Sequence, residues 1–111
     1  MKLVYVAGPF ERCDIAENIG IAARAGLEIM RGGHAPFVPH THTHMMSLFE
    51  YRDYEEWMAI DFVMVERSDA LFRLPGKSDG ADREVDLATA NGIPVFTVME
   101  DLLDHLNRQG D

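Results

Sequence analysis

Short apolar runs alternate with longer stretches whose apolar residues recur every three or four positions, and this alternation continues along the chain. Leu3-Val4-Tyr5-Val6 is a β-type run that stops at Ala7-Gly8-Pro9, predicting a buried strand that enters a tight loop. Asp14 with Glu17 reads as a helix-capping pair. Ile15, Ile19, Ala22, Ala23, Leu27 and Met30 then keep helical spacing until Gly32-Gly33. Ala35 to Val38 predicts a second strand, closed by Pro39, and a polar, histidine-rich connection is expected to run to about Arg52. Asp53 with Glu56 reads as another cap, ahead of a helix with Trp57, Ile60, Met64 and Val65 on one face. Ala70 to Leu74 is a third strand, broken by Pro75-Gly76. A helix is expected from about Asp79 to Ala90, a fourth strand at Pro94 to Val98, and a last helix from about Glu100 to Asn107.

Strands that are apolar on both faces and alternate with helices indicate an α/β domain, its parallel sheet covered on both sides. No internal repeat, linker or low-complexity segment interrupts residues 1–111, so one domain is expected. Ligands of such sheets bind beyond the carboxyl ends of the strands. The first and third strands run into the most glycine- and proline-punctuated loops, which places the candidate site at Tyr5 to Phe10 and Leu74 to Glu84.

Charge narrows the partners. Ten basic and nineteen acidic residues give a net charge of −9, which disfavours DNA or RNA as a polymeric partner. One phosphate group remains compatible, because backbone amides, hydroxyls and a helix N-terminus can hold it. The single cysteine, Cys13, precludes an internal disulfide and suits a reducing compartment. The apolar run near Met1 is only five residues long, too short for a signal peptide or a membrane span. A cytoplasmic location with no membrane partner is therefore expected.

Glu84 falls in the first turns of the third helix, with Ala81 and Ala88 on its face. The helix dipole would lower its pKa, as suits an ionised nucleophile; the alternative is a glutamate that only complements the dipole. Asp61 follows Trp57 by four and precedes Val65 by four, so it interrupts an apolar face. Buried, it would tend to hold a proton and could act as a general acid; at the stripe's edge it would be a surface residue. One ionised and one protonatable carboxyl are the minimal apparatus for cleaving a glycosidic bond through a covalent intermediate. Tyr5 either aims its hydroxyl at one of them or serves as a core aromatic. Ser78 and Gly80 open the third helix as an anion site or as an ordinary cap. In an extended backbone His40, His42 and His44 would share one side. No carboxylate or cysteine completes a ligand set with them, so neither a metal nor another cofactor is expected.

Tyr5-x-Ala7-Gly8-Pro9-Phe10, then Asp61, then Leu74 to Glu84 (LPGKSDGADRE), then Ala88 and Gly92-Ile93-Pro94-Val95, resembles the nucleoside 2-deoxyribosyltransferase superfamily in order and spacing. The likeness spans almost the whole chain. It is nearest to small bacterial and phage members with a proline-histidine loop, here Pro39-His40, and a Tyr54-Glu55-x-Trp57-x-x-x-Asp61 helix. The resemblance implies a flavodoxin/Rossmann-like three-layer sandwich with a four- to five-stranded parallel sheet. It implies Glu84 as the nucleophile at C1′, Tyr5 as the residue orienting it, and Asp61 as the acid assisting the departing base. Gly8, Pro9, Phe10, His40, Ser78 and Gly80 would contact a small-molecule nucleoside or nucleotide. Ser78 stands where the branch acting on nucleoside 5′-monophosphates carries serine and the nucleoside transferases carry aspartate. Thr97 resembles a hydroxyl residue donated to the phosphate site by a neighbouring subunit, which implies a homodimer or larger assembly. The expected function is cleavage of the N-glycosidic bond of a (deoxy)nucleoside monophosphate. Base exchange between free nucleosides and nucleotide sensing without turnover are the alternatives.

Overall fold

The computed structural model describes residues 1–108. Its sheet comprises β1 (Leu3–Ala7), β2 (Ala35–Phe37), β3 (Ala70–Arg73) and β4 (Val95–Phe96), all parallel, in the order β2-β1-β3-β4. Four strands, the lower of the two expected numbers, form it. Tyr5 of β1 registers with Phe37 on one side and Leu71 on the other.

Successive side chains of a strand point to opposite faces, so β1 supplies both halves of the core. Val4 and Val6 pack with Ala22, Ala25 and Ile29 of α1 (Ile15–Arg31) and with Leu102 and Leu106 of α5 (Met99–Arg108). Tyr5 and Ala7 pack with Val65 of α3 (Tyr54–Glu66) and with Ala81 and Ala88 of α4 (Asp79–Ala90). The result is the expected three-layer α/β sandwich.

Several local expectations need correction. The buried stripe of α1 is Ala22, Ala25, Gly26 and Ile29, while Leu27 and Met30 face solvent. The small residues decide this. A Cβ at Gly26 would stand 3.0 Å from Val38 Cγ2, so the helix presents its least bulky side to the sheet edge. In α3 the buried positions are Met58, Asp61 and Val65, and Ile60 is exposed. Asp53 precedes α3 without a side-chain cap; its carboxylate instead accepts the Tyr51 hydroxyl at 3.2 Å. The fourth strand is shorter than Pro94 to Val98. Pro94 has no N–H to give to the ladder, although its carbonyl accepts Leu71 N–H at 2.9 Å.

The histidine-rich connection is also more regular than expected. A 3-10 turn at Pro39–Thr41 leads into α2 (Thr43–Ser47). Its coiled backbone separates the three histidines that an extended chain would have aligned. The His40 and His44 rings approach to 5.2 Å between centroids, whereas the His42 ring meets Phe37. Among the described residues no helix is long and apolar enough to cross a membrane.

Candidate active site

From β1 the chain turns through α1 to β2 on one side, while β3 and β4 extend the sheet on the other. The carboxyl ends of β1 and β3 are therefore the switch point where doubly wound sheets open a crevice. Close contact between the two loops leaving these strands shapes its floor. A Cβ on Gly8 would stand 2.9 Å from the Leu74 side chain. One on Gly76, whose φ of +107° is left-handed territory, would stand 2.9 Å from Pro9. The first loop is tied down on both flanks: Asn18 Nδ2 donates to the Phe10 carbonyl at 2.8 Å, and His40 Nε2 bonds the Pro9 carbonyl at 2.8 Å. Arg73 clamps the second loop by donating to the Gly76 carbonyl and to Asp82 Oδ1, both at 3.0 Å.

Above these loops lies a cleft of about 650 Å³. Gly8, Pro9, Phe10, Asp61, Ser78, Gly80 and Glu84, picked out in the sequence from distant segments, all line it. Tyr5 lies beneath, fully buried, and reaches the cleft through its hydroxyl, which donates to Glu84 Oε2 at 2.5 Å. Phe37 stacks on the Tyr5 ring at 5.6 Å and holds it in place.

Asp61 is completely buried, so the surface reading of this residue is excluded. Its Oδ1 accepts the Thr43 hydroxyl at 2.5 Å, and its Oδ2 lies 3.4 Å from His44 Nε2. Glu84 departs from the expected electrostatics. It sits in the second turn of α4, and a helix-end field fades within the first turn. Burial dominates instead and pushes its carboxyl up to about 8, with the charge of Asp61 adding to the rise. The Tyr5 hydrogen bond and the Arg73 and Arg83 guanidinium groups pull the other way. The Tyr5 phenol is held well above its ordinary value by burial and by the Glu84 and Asp61 charges, so it remains a donor. Burial lowers His40 to about 4, which leaves it neutral as the support of Pro9.

Ser78 caps α4, its hydroxyl oxygen accepting Ala81 N–H at 3.1 Å. The hydroxyl hydrogen remains available to a ligand. One expected ligand contact, His40, is buried behind the first loop, outside the cleft lining. Thr97, expected to serve a neighbouring subunit's site, is exposed beyond β4.

The sequence reading missed three parts of the site. Thr43 and His44, placed in a loop, are the residues that contact Asp61. Tyr54, Trp57 and Met58 form the α3 wall of the cleft. Their signal was present, since Tyr54, Trp57, Met58 and Asp61 follow the i, i+3, i+4, i+7 stripe of one helix face. Arg12, Arg52 and Lys77, from three separate segments, bring positive charge to the lining. Arg83 ties α3 to α4 through both Glu55 carboxylate oxygens at 2.8 and 2.9 Å.

Solved structures share this all-parallel α/β fold. A 2-deoxyribosyltransferase from Bacillus psychrosaccharolyticus superposes with a TM-score of 0.63 at 23% identity, covering 84% of this chain and 69% of that one. A 2-deoxyribosyltransferase from Leishmania mexicana gives 0.64 at 18% identity, covering 86% and 62%. A conserved protein from Enterococcus faecalis gives 0.65 at 25% identity, covering 86% and 61%. The chain thus spans between three fifths and seven tenths of the length of these structures. Residues 2–98 match the model of a domain of unknown function (DUF7768), and the chain belongs to that family. No curated protein sequence matches it.

Proposed function

We propose that this protein cleaves the N-glycosidic bond of a (deoxy)nucleoside 5′-monophosphate through a covalent glycosyl-Glu84 intermediate. The observation that carries the reading is the pair of buried carboxyls in one cleft, Glu84 held by Tyr5 at 2.5 Å and Asp61 held by Thr43 at 2.5 Å.

The two carboxyls fit a double displacement. Glu84 attacks C1′ as the bond to the base nitrogen breaks, and Asp61 passes its proton to the departing base. The negative charge moves from Glu84, now an ester, to Asp61. Water then attacks C1′ and gives a proton to Asp61, the ester bond breaks, and the Glu84 carboxylate returns. A second base in place of water gives transfer. The transition state carries positive charge on the sugar, which favours the ionised form of Glu84. With a pKa of about 8, about a tenth of Glu84 is ionised at pH 7 before substrate contributes.

Ser78, the amides opening α4 and the cleft cations Arg12 and Lys77 support recognition of the 5′-phosphate, while Arg52 is paired with Glu50 and Glu56. Asp79 and Glu11 also line the cleft and favour the second reading, exchange of bases between free nucleosides. A chromatographic screen for released base, with and without an acceptor base, separates hydrolysis from transfer. Comparing kcat/KM for one nucleoside and its monophosphate, in wild type and Ser78→Asp, then tests the phosphate. The monophosphate is expected to be preferred by wild type and the nucleoside by the variant. The same preference in both proteins would reduce Ser78 to a helix cap.

A further inference from the structure

Asp61 is fully buried, and its Oδ2 makes no hydrogen bond among the described residues. His44 Nε2 faces it at 3.4 Å, a contact at the outer limit of a hydrogen bond. His44 is held against Asp61. Its ring packs on Phe10 at 4.7 Å and on His40 at 5.2 Å, and the adjacent Thr43 already donates to the other carboxyl oxygen. Its Nδ1 is buried and also makes no hydrogen bond among the described residues. Leaving a lone pair unpaired there costs less than leaving an N–H, which favours the neutral tautomer with its proton on Nε2, facing Asp61. His40 cannot supply that proton, since its Nε2 is engaged by the Pro9 carbonyl.

We propose that His44 is a positioning residue for Asp61, its Nε2–H closing onto Oδ2 as the carboxyl gives its proton to the departing base. The inference rests on the glycosidic-cleavage reading above. A donor facing a neutral carboxyl gains little, whereas the same donor facing a carboxylate makes a charge-assisted bond. The contact therefore strengthens as the proton leaves, and an interaction that grows toward the transition state accelerates the step. No net proton is taken from His44. The proton that reaches the base comes from Asp61, and the Nε2–H stays on the imidazole while its hydrogen bond shortens. When water attacks C1′, its proton returns to Asp61 and the bond relaxes. The titratable groups around the pair are His40 from the 3-10 turn, Asp61 from α3 and, in the same cleft, Glu84 of α4 bonded to Tyr5 of β1.

The test separates acid assistance from packing. His44→Phe keeps a ring against Phe10 and removes the donor, and circular dichroism checks that the variant folds. Its kcat is measured on thymidine monophosphate and on the 5-fluorouracil analogue, whose base leaves more readily without a proton. The expected result is a loss of about 10²-fold on the thymine substrate and under about fivefold on the fluorinated one. Glu84→Ala should lose both. Equal losses on the two substrates in His44→Phe, or no loss on either, would overturn the proposal.

A readout independent of turnover keeps it distinct from the cleavage reading. Nitrogen-15 NMR of the imidazoles should show the His44 proton on Nε2, and Asp61→Asn should shift that Nε2–H resonance, since the group it faces has changed. A resonance unmoved by Asp61→Asn would sink the His44–Asp61 pair even if base release is confirmed. A moved resonance in a protein that releases no base would retain the pair and discard the cleavage reading.

Discussion

The two faces of the sheet are built from the same strands to opposite ends. Toward α1 and α5, Val4, Val6, Ile29, Phe72, Leu102 and Leu106 form an apolar cluster that buries no carboxyl. Toward α3 and α4, the same strand turns Tyr5 inward, and two carboxyls, Asp61 and Glu84, lie buried near it. Burying apolar surface contributes about 25 cal/mol per Å², whereas burying a carboxyl costs free energy unless it is bonded or holds a proton. The first face therefore stabilises the fold. The second gives up stability to keep two acids in a low-dielectric cleft, one bonded to Tyr5 and the other to Thr43. Departures of this kind from an apolar core collect at functional sites, and here both buried acids lie on the α3 and α4 side of the sheet.

This division can be tested by substituting each face in turn. The largest effect is expected on the polar side. Glu84→Ala should abolish base release with the fold intact, since the covalent route is lost outright, while Asp61→Asn should cost about 10²–10⁴-fold as lost acid assistance. Steady-state assays on folded variants decide it, and full activity in Glu84→Ala would place the chemistry elsewhere. On the apolar side, Leu102→Ala should destabilise the protein by about 2–5 kcal/mol in a urea titration and leave kcat/KM nearly unchanged at low temperature. A selective loss of activity would show that the faces are not independent.

The third test concerns pH. Glu84 has a folded-state value of about 8, above the ordinary 4.5, so the folded protein retains a proton that the unfolded chain has released. The Glu84 contribution to stability is accordingly highest below about 4.5 and declines as pH rises toward about 8. Its slope is bounded near 1.4 kcal/mol per pH unit for one proton. Glu84→Gln should remove that decline when the stability curves of the two proteins are subtracted. Parallel curves would mean that the carboxyl titrates alike in both states.

Much of this was legible in the chain. Apolar runs of strand length set between helical periodicities give the order of elements, because a buried parallel sheet needs strands that are apolar on both sides. The loops after β1 and β3 identified themselves by glycine and proline, and the resemblance to the deoxyribosyltransferase superfamily singled out Tyr5, Asp61 and Glu84 together before any coordinates. Periodicity was less informative about which way each helix turns. In α1 the small residues Ala25 and Gly26 won the sheet-facing side from Leu27 and Met30, since close approach favours a slim helix face. The segment from Pro39 to Arg52 was opaque, for the alternation of its histidines suggested an extended backbone that the chain does not adopt, and their neighbours come from distant parts of the chain.

Tertiary structure alone decided the chemistry of the acids. Sequence position suggested that the helix field would lower Glu84, but the field fades along α4 and burial between layers raises it. The partners of Asp61 were decided in the same way. Thr43 and His44 precede it by eighteen and seventeen residues, and only the packing of α2 on α3 sets a hydroxyl and an imidazole beside that carboxyl. A sequence specifies which groups are available and roughly where each lies on its own element. The pKa and hydrogen bonds of a buried group depend on solvent exclusion and on angstrom-scale distances between elements, which exist only once the layers have closed.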